Sequence, residues 1–233
     1  MKIDVISFGT KDYKIGEYTK KINKKYCKKN NYNFNYYYKI PFHLVTRHPA
    51  WCKIYYLNKK MNESKSDYIM WIDADAFFCN NNIKIEKWIK NDKSIIIGRD
   101  PGFSMKEYRN HPELLNSGVM IFKNTKENKS LLKNILYNPI HCTNYNKNLT
   151  YNILTEQRGW DQAAIRYSYL NNKYMNENTH VILDTNFNNN TNDIKKYIEN
   201  NGFVLHLTNF NNKFDDKKTD TIKKFCKFYE IQL

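Results

Sequence analysis

The chain has 233 residues, of which 41% are apolar and 15% aromatic, and its formal net charge is +15 at pH 7. This apolar content excludes an intrinsically disordered protein, and the length allows one large domain with a sizeable core. Because the positive charge comes almost entirely from lysine, with only five arginines, the composition favours scattered solvated lysines over a nucleic-acid-binding groove.

Strand-like and helix-like segments alternate along the chain. The patterns predict a strand over 2–8, a basic helix over 13–29, an aromatic strand over 32–40, a helix over 48–61, a strand over 68–73, a short helix over 83–89, and strands over 94–98 and 115–124. After these come a helix over 125–137, a polar loop over 138–156, a helix over 157–171, a strand over 180–184, a short helix near 193–200, a strand over 203–207 and a basic C-terminal helix. This order predicts an α/β fold with a mostly parallel central sheet and helices on both faces.

We expect a single domain over residues 1–233, because no linker or internal repeat interrupts the alternation. The polar stretches 138–156 and 185–195 are candidates for mobile loops. The five cysteines are widely spaced and include no C-x-x-C pair, which argues against a disulfide scaffold and is typical of a reducing compartment. No apolar run has transmembrane length and no secretory signal is visible, so we expect a soluble cytoplasmic or other intracellular protein.

The segment YIMWIDADAFF, residues 68–78, is a buried-strand pattern that ends in two carboxylates. Asp73 and Asp75 follow a predicted strand at its carboxyl end, where ligands collect in open α/β sheets. Residues i and i+2 point to the same side in extended backbone, so both carboxylates can face one ion. Their oxygens suit Mg²⁺ or Mn²⁺. The alternative is a turn in which Asp73 caps the following segment.

Four segments occur in an order that resembles the GT-A glycosyltransferases, and most of all glycosyltransferase family 34, which contains galactosyl-, mannosyl- and xylosyltransferases. They are WIDADAFF at 71–78, LNSGVMIFKN at 115–124, WDQAA at 160–164 and VLHL at 204–207. The resemblance implies a GT-A-like fold. It also implies metal-dependent transfer of a hexose or pentose from a nucleotide sugar, with a UDP-sugar favoured, to a glycan or other hydroxyl acceptor, with retention of anomeric configuration.

The resemblance also implies the metal ligands. Asp73 and Asp75 match the D-x-D motif that binds a divalent ion, Mn²⁺ or Mg²⁺, and His206 matches a late histidine that is the third ligand. Asn209 replaces the glycine that usually follows, and the candidate phosphate-binding residue, Lys213, is displaced from the usual spacing. A histidine on an apolar strand is otherwise most often a hydrogen-bonded core residue.

A donor site is implied at twelve matching positions, two of which are the D-x-D carboxylates. These are Ser7, Phe8, Gly9, Thr10, Trp51, Lys53, Asp73, Ala74, Asp75, Asn116, Ser117 and Gly118. The residue types are suitable, since Gly9 permits a close backbone approach and Lys53 supplies a cation for phosphate. The alternatives are a simple strand-to-helix turn at 7–10 and a core position for Trp51.

Asp161 and Gln162 match a catalytic D-Q pair on the first turn of a helix beside the reacting carbon. The resemblance implies that Asp161 holds sugar hydroxyls and that Gln162 lies opposite the leaving group; the alternative for Asp161 is a helix cap. An amide is a poor nucleophile, so we expect same-face attack, with Asp161 as the fallback nucleophile. Asp100, after strand 94–98, is a further candidate contact to donor or acceptor.

Two other functions stay open. A basic nucleic-acid-binding protein or nuclease would explain the charge, but a nuclease needs more clustered carboxylates and a binder more arginine, so we expect no nucleic-acid partner. An inactive transferase fold that only binds a sugar nucleotide is the other alternative. The donor remains open among UDP-galactose, UDP-xylose, UDP-glucose, UDP-N-acetylglucosamine and GDP-mannose, as do the acceptor and the oligomeric state.

Overall fold

The computed structural model describes residues 1–138, 160–191, 193–208 and 215–228. Their strands are β1 Ile3–Phe8, β2 Asn33–Tyr37, β3 Tyr68–Ile72, β4 Ala76–Phe78, β5 Ile95–Arg99, β6 Leu115–Lys123, β7 Thr179–Ile182, β8 Asn188–Asn189 and β9 Val204–His206. Their helices are α1 Lys14–Lys29, α2 Cys52–Glu63, α3 Met105–Asn110, α4 Lys126–Tyr137, α5 Asp161–Asn171, α6 Lys173–Asn178, α7 Ile194–Glu199 and α8 Asp215–Phe228. Short 3₁₀ turns lie at Phe42–Leu44, Pro49–Trp51 and Ile85–Trp88.

The central sheet has six strands in the order β2-β1-β3-β6-β5-β7. The β1–β2, β1–β3 and β5–β7 pairs are parallel, whereas β6 is antiparallel to both of its neighbours, β3 and β5. Five strands therefore run in one direction and β6 runs in the other. This confirms the predicted α/β fold with a mostly parallel sheet.

Both faces of the sheet are covered, as the fully apolar strands require. Along β3 the side chains alternate: Ile69 and Trp71 join a core cluster with α2, α4 and α5, and Met70 and Ile72 join a cluster with α1 on the opposite face. Burial on both faces explains why the β3 pattern is continuously apolar. No described helix has both the length and the apolar character needed to cross a membrane.

A second, three-stranded sheet has the order β4-β9-β8. Its strands β4 and β8 were not predicted, because elements of three and two residues are too short to show a periodicity. The six-residue helices α3 and α6 were missed as well, although the capping box of Ser104 and Glu107 is a readable start signal for α3.

The longer elements agree with the predictions to within a few residues. The aromatic strand is shorter than the predicted 32–40, because the ladder of β2 ends where Phe8 of β1 pairs with Tyr37. The short helix predicted over 83–89 is instead a 3₁₀ turn, Ile85–Trp88. The predicted loop 138–156 lies almost wholly outside the described residues, and the stretch 185–195 contains β8 and the start of α7.

Candidate functional site

The predicted site segments lie together at one edge of the central sheet. The carboxyl ends of β1, β3 and β5 meet the amino end of β6 there, because β6 runs antiparallel to β3 and β5. Ile72, the last residue of β3, pairs with Val119, so residues 73–75 lie beside residues 116–118. Strand β9 adds His206 through its pairing with β4.

Asp73, Asp75 and His206 form a cluster with the character of a metal site. One ligand atom of each lies within 4.8 Å of the others. His206 Nε2 is 3.6 Å from Asp73 Oδ2 and 3.3 Å from Asp75 Oδ1. Two carboxylates and one imidazole suit a transition-metal dication such as Mn²⁺. The residues therefore fit the ion that the resemblance implies.

Two neighbours position this cluster. The indole nitrogen Nε1 of Trp71 donates to Asp73 Oδ1 at 2.6 Å. Gly118 makes room for His206, since a Cβ at this glycine would lie 2.0 Å from the Cε1 atom of the imidazole. The absence of a side chain at Gly118, the glycine of the N-S-G segment, therefore leaves the space that the His206 imidazole occupies.

Lys53 connects the D-x-D motif to the D-Q pair. It is 3% exposed, and its Nζ lies 2.7 Å from Asp161 Oδ2 and 3.1 Å from Asp73 Oδ1. It also donates to Ser117 Oγ at 3.0 Å. Burial lowers the pKa of Lys53, but the charges of Asp161 and Asp73 outweigh burial and raise the pKa above its usual value. The ammonium therefore stays charged.

Lys218 is a site residue that the sequence analysis missed. It extends from α8 and its Nζ lies 3.0 Å from Asp75 Oδ2, to which Tyr13 also donates at 3.2 Å. Burial raises the pKa of Asp75, but the hydrogen bond and charge of His206 and the charge of Lys218 hold it below its usual range. One lysine in a basic helix has no distinguishing pattern. The predicted Lys213 lies outside the described residues.

The cluster contains more carboxylates than lysines. Three carboxylates, at positions 73, 75 and 161, face two lysines, at positions 53 and 218. The carboxylates thus outnumber the lysines by one, and burial raises the pKa of Asp73 despite the opposing charges of Lys53 and His206. Since buried charges need compensation, the cluster is suited to binding an additional cation.

The D-Q pair is anchored to the start of β6. Asp161 Oδ2 accepts from Ser117 Oγ at 2.9 Å, and Gln162 Oε1 accepts from Ser117 N at 3.0 Å. The Asp161 carboxylate bonds to Lys53 and Ser117 instead of capping α5. Asn116 Oδ1, next to this pair, accepts from the backbone N–H of Gly118 at 2.9 Å.

Two adjoining cavities meet at the carboxylates. The first, of about 570 Å³, extends past the end of β1 and includes Phe8, Gly9, Thr10, Tyr13, Ala74 and Lys218 in its lining. The second, of about 500 Å³, extends the other way and includes Asp100, Phe103, Asn116, Ser117, Asp161 and Gln162. Both share a wall made by His48 stacked on Trp160, with ring centroids 4.5 Å apart.

Some predicted donor residues do not line these cavities. Ser7 and Trp51 are buried in the core, and Gly118 lies behind His206. Gly9 lines the first cavity, but its missing side chain also accommodates the hydroxyl of Tyr36, which would be 2.2 Å from a Cβ. The structure therefore brings together the D-x-D motif, His206, Lys53 and the D-Q pair. Ser7 and Trp51 are buried and do not line either cavity.

Comparisons with known proteins agree with this architecture. Residues 6–99 match the sequence profile of the galactosyl transferase GMA12/MNN10 family. The chain superimposes on the crystal structure of a glycosyltransferase involved in the glycosylation of the major capsid of PBCV-1, with a TM-score of 0.65 and 13% identity, covering 97% of this chain and 98% of that one. No curated protein sequence matches it.

A second similar structure is the apo form of the bifunctional glycosyltransferase WbbM, with a TM-score of 0.55 and 12% identity. The similarity covers 99% of this chain and 52% of WbbM. The family match includes Lys53 and the D-x-D motif but ends before residues 116–118, the D-Q pair and His206. The match and the shared GT-A fold identify the chain as a glycosyltransferase that resembles the galactosyl transferase GMA12/MNN10 family over residues 6–99.

Proposed function

We propose that the chain is a metal-dependent retaining glycosyltransferase that transfers a hexose or pentose from a nucleoside-diphosphate sugar, with a UDP-sugar favoured. The acceptor is a hydroxyl group of a glycan or another molecule. The observation that carries the proposal is the position of Asp73, Asp75 and His206 at the junction of two cavities. Such a junction lets one cavity hold a nucleotide while the other holds the sugar.

The first cavity is assigned to the nucleotide. Phe8, Gly9 and Thr10 at the end of β1 offer a ring face and backbone groups to the base and ribose. Lys218, at the carboxylate end of the same cavity, offers a cation to the diphosphate. It takes the role in donor binding that the sequence analysis assigned to Lys213.

The metal would be held by Asp73, Asp75 and His206. When bound, the ion would supply Lewis acidity that offsets the negative charge gained by the departing diphosphate. Lys218 and Lys53 add fixed positive charge beside the same group. Because the lysines are already held by carboxylates, little reorganisation is needed when the leaving group departs.

The contacts of Asp161 favour same-face attack over a covalent intermediate. Asp161 is 3% exposed, and its carboxylate lies 2.7 Å from Lys53 Nζ and accepts a hydrogen bond from Ser117. A carboxylate whose lone pairs are engaged in this way is a weakened nucleophile. Gln162 lines the second cavity and is an amide, so no ready nucleophile is present in the D-Q pair.

The proposal is tested by nucleotide release from five donors: UDP-galactose, UDP-xylose, UDP-glucose, UDP-N-acetylglucosamine and GDP-mannose. We expect at least one to be turned over with Mn²⁺ and none with chelator. Asp75→Asn is expected to abolish release, whereas Asp92→Asn, the same change at an exposed aspartate outside both cavities, is expected to leave it unchanged. Release that persists in chelator, or in Asp75→Asn, would refute the metal-dependent function.

A further inference from the structure

A bulge at the start of β6 sets the position of Asn116. The ladder between β5 and β6 is irregular there, and residues 117–119 have no partner on β5. Inside this bulge, the backbone N–H of Gly118 donates to Asn116 Oδ1 at 2.9 Å. The fully buried Arg166 holds the preceding backbone, since its Nε donates to the carbonyl oxygen of Leu115 at 3.0 Å. Bulges beside active sites commonly redirect a side chain, and this one directs Asn116.

Asn188 donates a second hydrogen bond to the same oxygen. It is 2% exposed, and its Nδ2 lies 2.9 Å from Asn116 Oδ1. Asn188 belongs to β8, within the stretch 185–195 that the sequence analysis treated as a candidate mobile loop. Because β8 pairs with β9, the strand that carries His206, Asn188 connects the second sheet to the bulge in the central sheet.

These two hydrogen bonds determine how the Asn116 amide is oriented. A backbone N–H can only donate, so the amide atom that meets Gly118 must be the oxygen. The same oxygen can accept from Asn188 only if that side chain presents its nitrogen. Both partners therefore engage the oxygen of Asn116 and leave its amide nitrogen unused.

The unused nitrogen of Asn116 is available to a ligand in the second cavity. Asn116 lines that cavity although the residue is only 6% exposed. Among the described residues no acceptor bonds to its Nδ2, and this atom retains accessible surface. An amide nitrogen in this situation can donate to an oxygen of a bound molecule. Since the second cavity is assigned to the sugar, that oxygen belongs to the sugar of the donor.

A purely structural role gives a poor account of an asparagine at position 188. Its Oδ1 is buried without a hydrogen-bond partner among the described residues. Burial of an unpaired amide oxygen is unfavourable, so the side chain lowers the stability of the fold at one atom while it donates at the other. What this side chain secures is the orientation of Asn116.

We propose that Asn188 is a positioning residue for the donor sugar. It holds the oxygen of the Asn116 amide, so the nitrogen stays free to donate to an oxygen of the transferred sugar. Asn188 lines neither cavity and acts through Asn116. The inference rests on the proposed function and deepens it, because it adds a residue that the motif resemblance does not identify.

The binding test compares nucleotide sugars with free nucleotides by calorimetry in the presence of Mn²⁺. The probes are the five donors named above, UDP and GDP. At least one donor is expected to bind the wild type, and its affinity should fall about tenfold in Asn116→Ala and about fivefold in Asn188→Ala. The affinity for the matching free nucleotide should change by less than about twofold, because the contact is with the sugar. Unchanged donor affinity in Asn188→Ala, or an equal loss for the free nucleotide, would overturn the inference.

A double-mutant cycle tests whether Asn188 acts through Asn116. If it does, Asn188→Ala has no further effect once Asn116→Ala is present, and the double variant binds the donor as Asn116→Ala does, to within about twofold. Independent roles would instead multiply the two losses to about fiftyfold. Multiplied losses would overturn the inference.

Asn128→Ala is the matched control for the loss of a buried asparagine. Asn128 is 0% exposed, its Nδ2 donates to the carbonyl oxygens of Ser94 at 3.0 Å and Lys123 at 2.9 Å, and it lines neither cavity. We expect this variant to have a lower Tm and an unchanged donor affinity. An equal loss of donor affinity in Asn128→Ala and Asn188→Ala would assign the effect to general destabilisation and overturn the inference. If Asn188→Ala does not fold, Asn188→Leu, which keeps most of the volume and removes both polar atoms, takes its place.

Nucleotide release separates this inference from the proposed function. A wild type that binds a donor with the coupled losses but releases no nucleotide would support the positioning role and contradict the transferase function. A wild type that releases nucleotide with a donor KM unchanged in Asn188→Ala would overturn the positioning role and leave the transferase function standing. A wild type that neither binds nor turns over any donor would overturn both.

Discussion

Lys53 shows how one side chain organises the candidate site. Its ammonium contacts Asp73, Asp161 and Ser117, so it joins the end of β3 to the starts of α5 and β6. The resemblance implied a lysine near the donor at this position, and its residue type suggested a cation for phosphate. The contacts indicate in addition that Lys53 fixes the two carboxylates relative to each other, which the sequence pattern alone does not reveal.

Gly118→Ala tests whether a side chain at position 118 would displace the imidazole of His206. The new methyl group would overlap the imidazole, and overpacking of this kind costs about 1–3 kcal/mol. We expect a lower free energy of unfolding in urea and a weaker affinity for Mn²⁺. Adding His206→Ala should restore most of the lost stability, because the clash is then removed. Equal destabilisation in the single and double variants would show that the clash is not with the histidine.

At the residue scale, the sequence identified site residues whose immediate neighbours in the chain make them unusual. Asp73 and Asp75 stand out because carboxylates follow an apolar strand directly. Lys218 and Tyr13 do not stand out, since their role depends on α8 packing against α1, a contact between distant parts of the chain. The unusual position of Arg166 likewise becomes visible only when its burial is known.

At the scale of elements, the direction of β6 was the main feature beyond sequence reasoning. Its residues are buried on both faces, so its apolar run has the same pattern as that of a parallel strand. Reversal places its amino end, with Asn116 and Ser117, at the ligand-binding edge. A parallel strand would place that segment at the opposite edge.

Helix α8 is expected to contribute to donor binding through Lys218. Lys218→Met removes the charge that lies 3.0 Å from Asp75 and should weaken the affinity for UDP with Mn²⁺ about tenfold, measured by calorimetry. Lys223→Met, at an exposed position of the same helix, is the matched control and should not change the affinity. An equal loss of affinity in both variants would show that Lys218 acts only through the overall charge of the protein.

A buried polar contact between β1 and α2 should make stability depend on pH. Asp4 is 2% exposed, accepts from Asn33 Nδ2 at 2.8 Å and from Ser64, and lies 3.3 Å from Lys60 Nζ. Burial raises its pKa, but the hydrogen bonds from Ser64 and Asn33 and the charge of Lys60 lower the pKa below its usual value. The contribution to stability is therefore complete above the unfolded-state pKa of about 4 and is lost as pH falls through the lower folded-state pKa.

Asp4→Asn should remove this dependence. We expect the wild type to exceed the variant by about 2 kcal/mol in free energy of unfolding between pH 5 and pH 7, and the difference to shrink below about pH 4. Urea denaturation at a series of pH values measures it, with Asp92→Asn as a control that shows no such trend. A difference that stays constant down to pH 2 would contradict the assigned cause.

For the whole molecule, the strongly positive net charge contrasts with a site in which carboxylates outnumber lysines. The chain carries +15, yet the partly buried cluster at the sheet edge has three carboxylates and two lysines. The overall charge therefore says little about the chemistry of the site. The fold class was predictable because alternation of apolar segments is a property of the whole chain, whereas the extent of the single domain stays a prediction.

The central claim is that Asp73, Asp75 and His206 bind a divalent cation. Titration with Mn²⁺, followed by electron paramagnetic resonance in the presence of UDP, tests it without any turnover. We predict one tight Mn²⁺ per chain in the wild type and in Asp92→Asn, and an affinity at least about 100-fold weaker in Asp75→Ala with its fold intact. Equal Mn²⁺ affinity in Asp75→Ala and the wild type, or no bound Mn²⁺ in the wild type, would contradict the account.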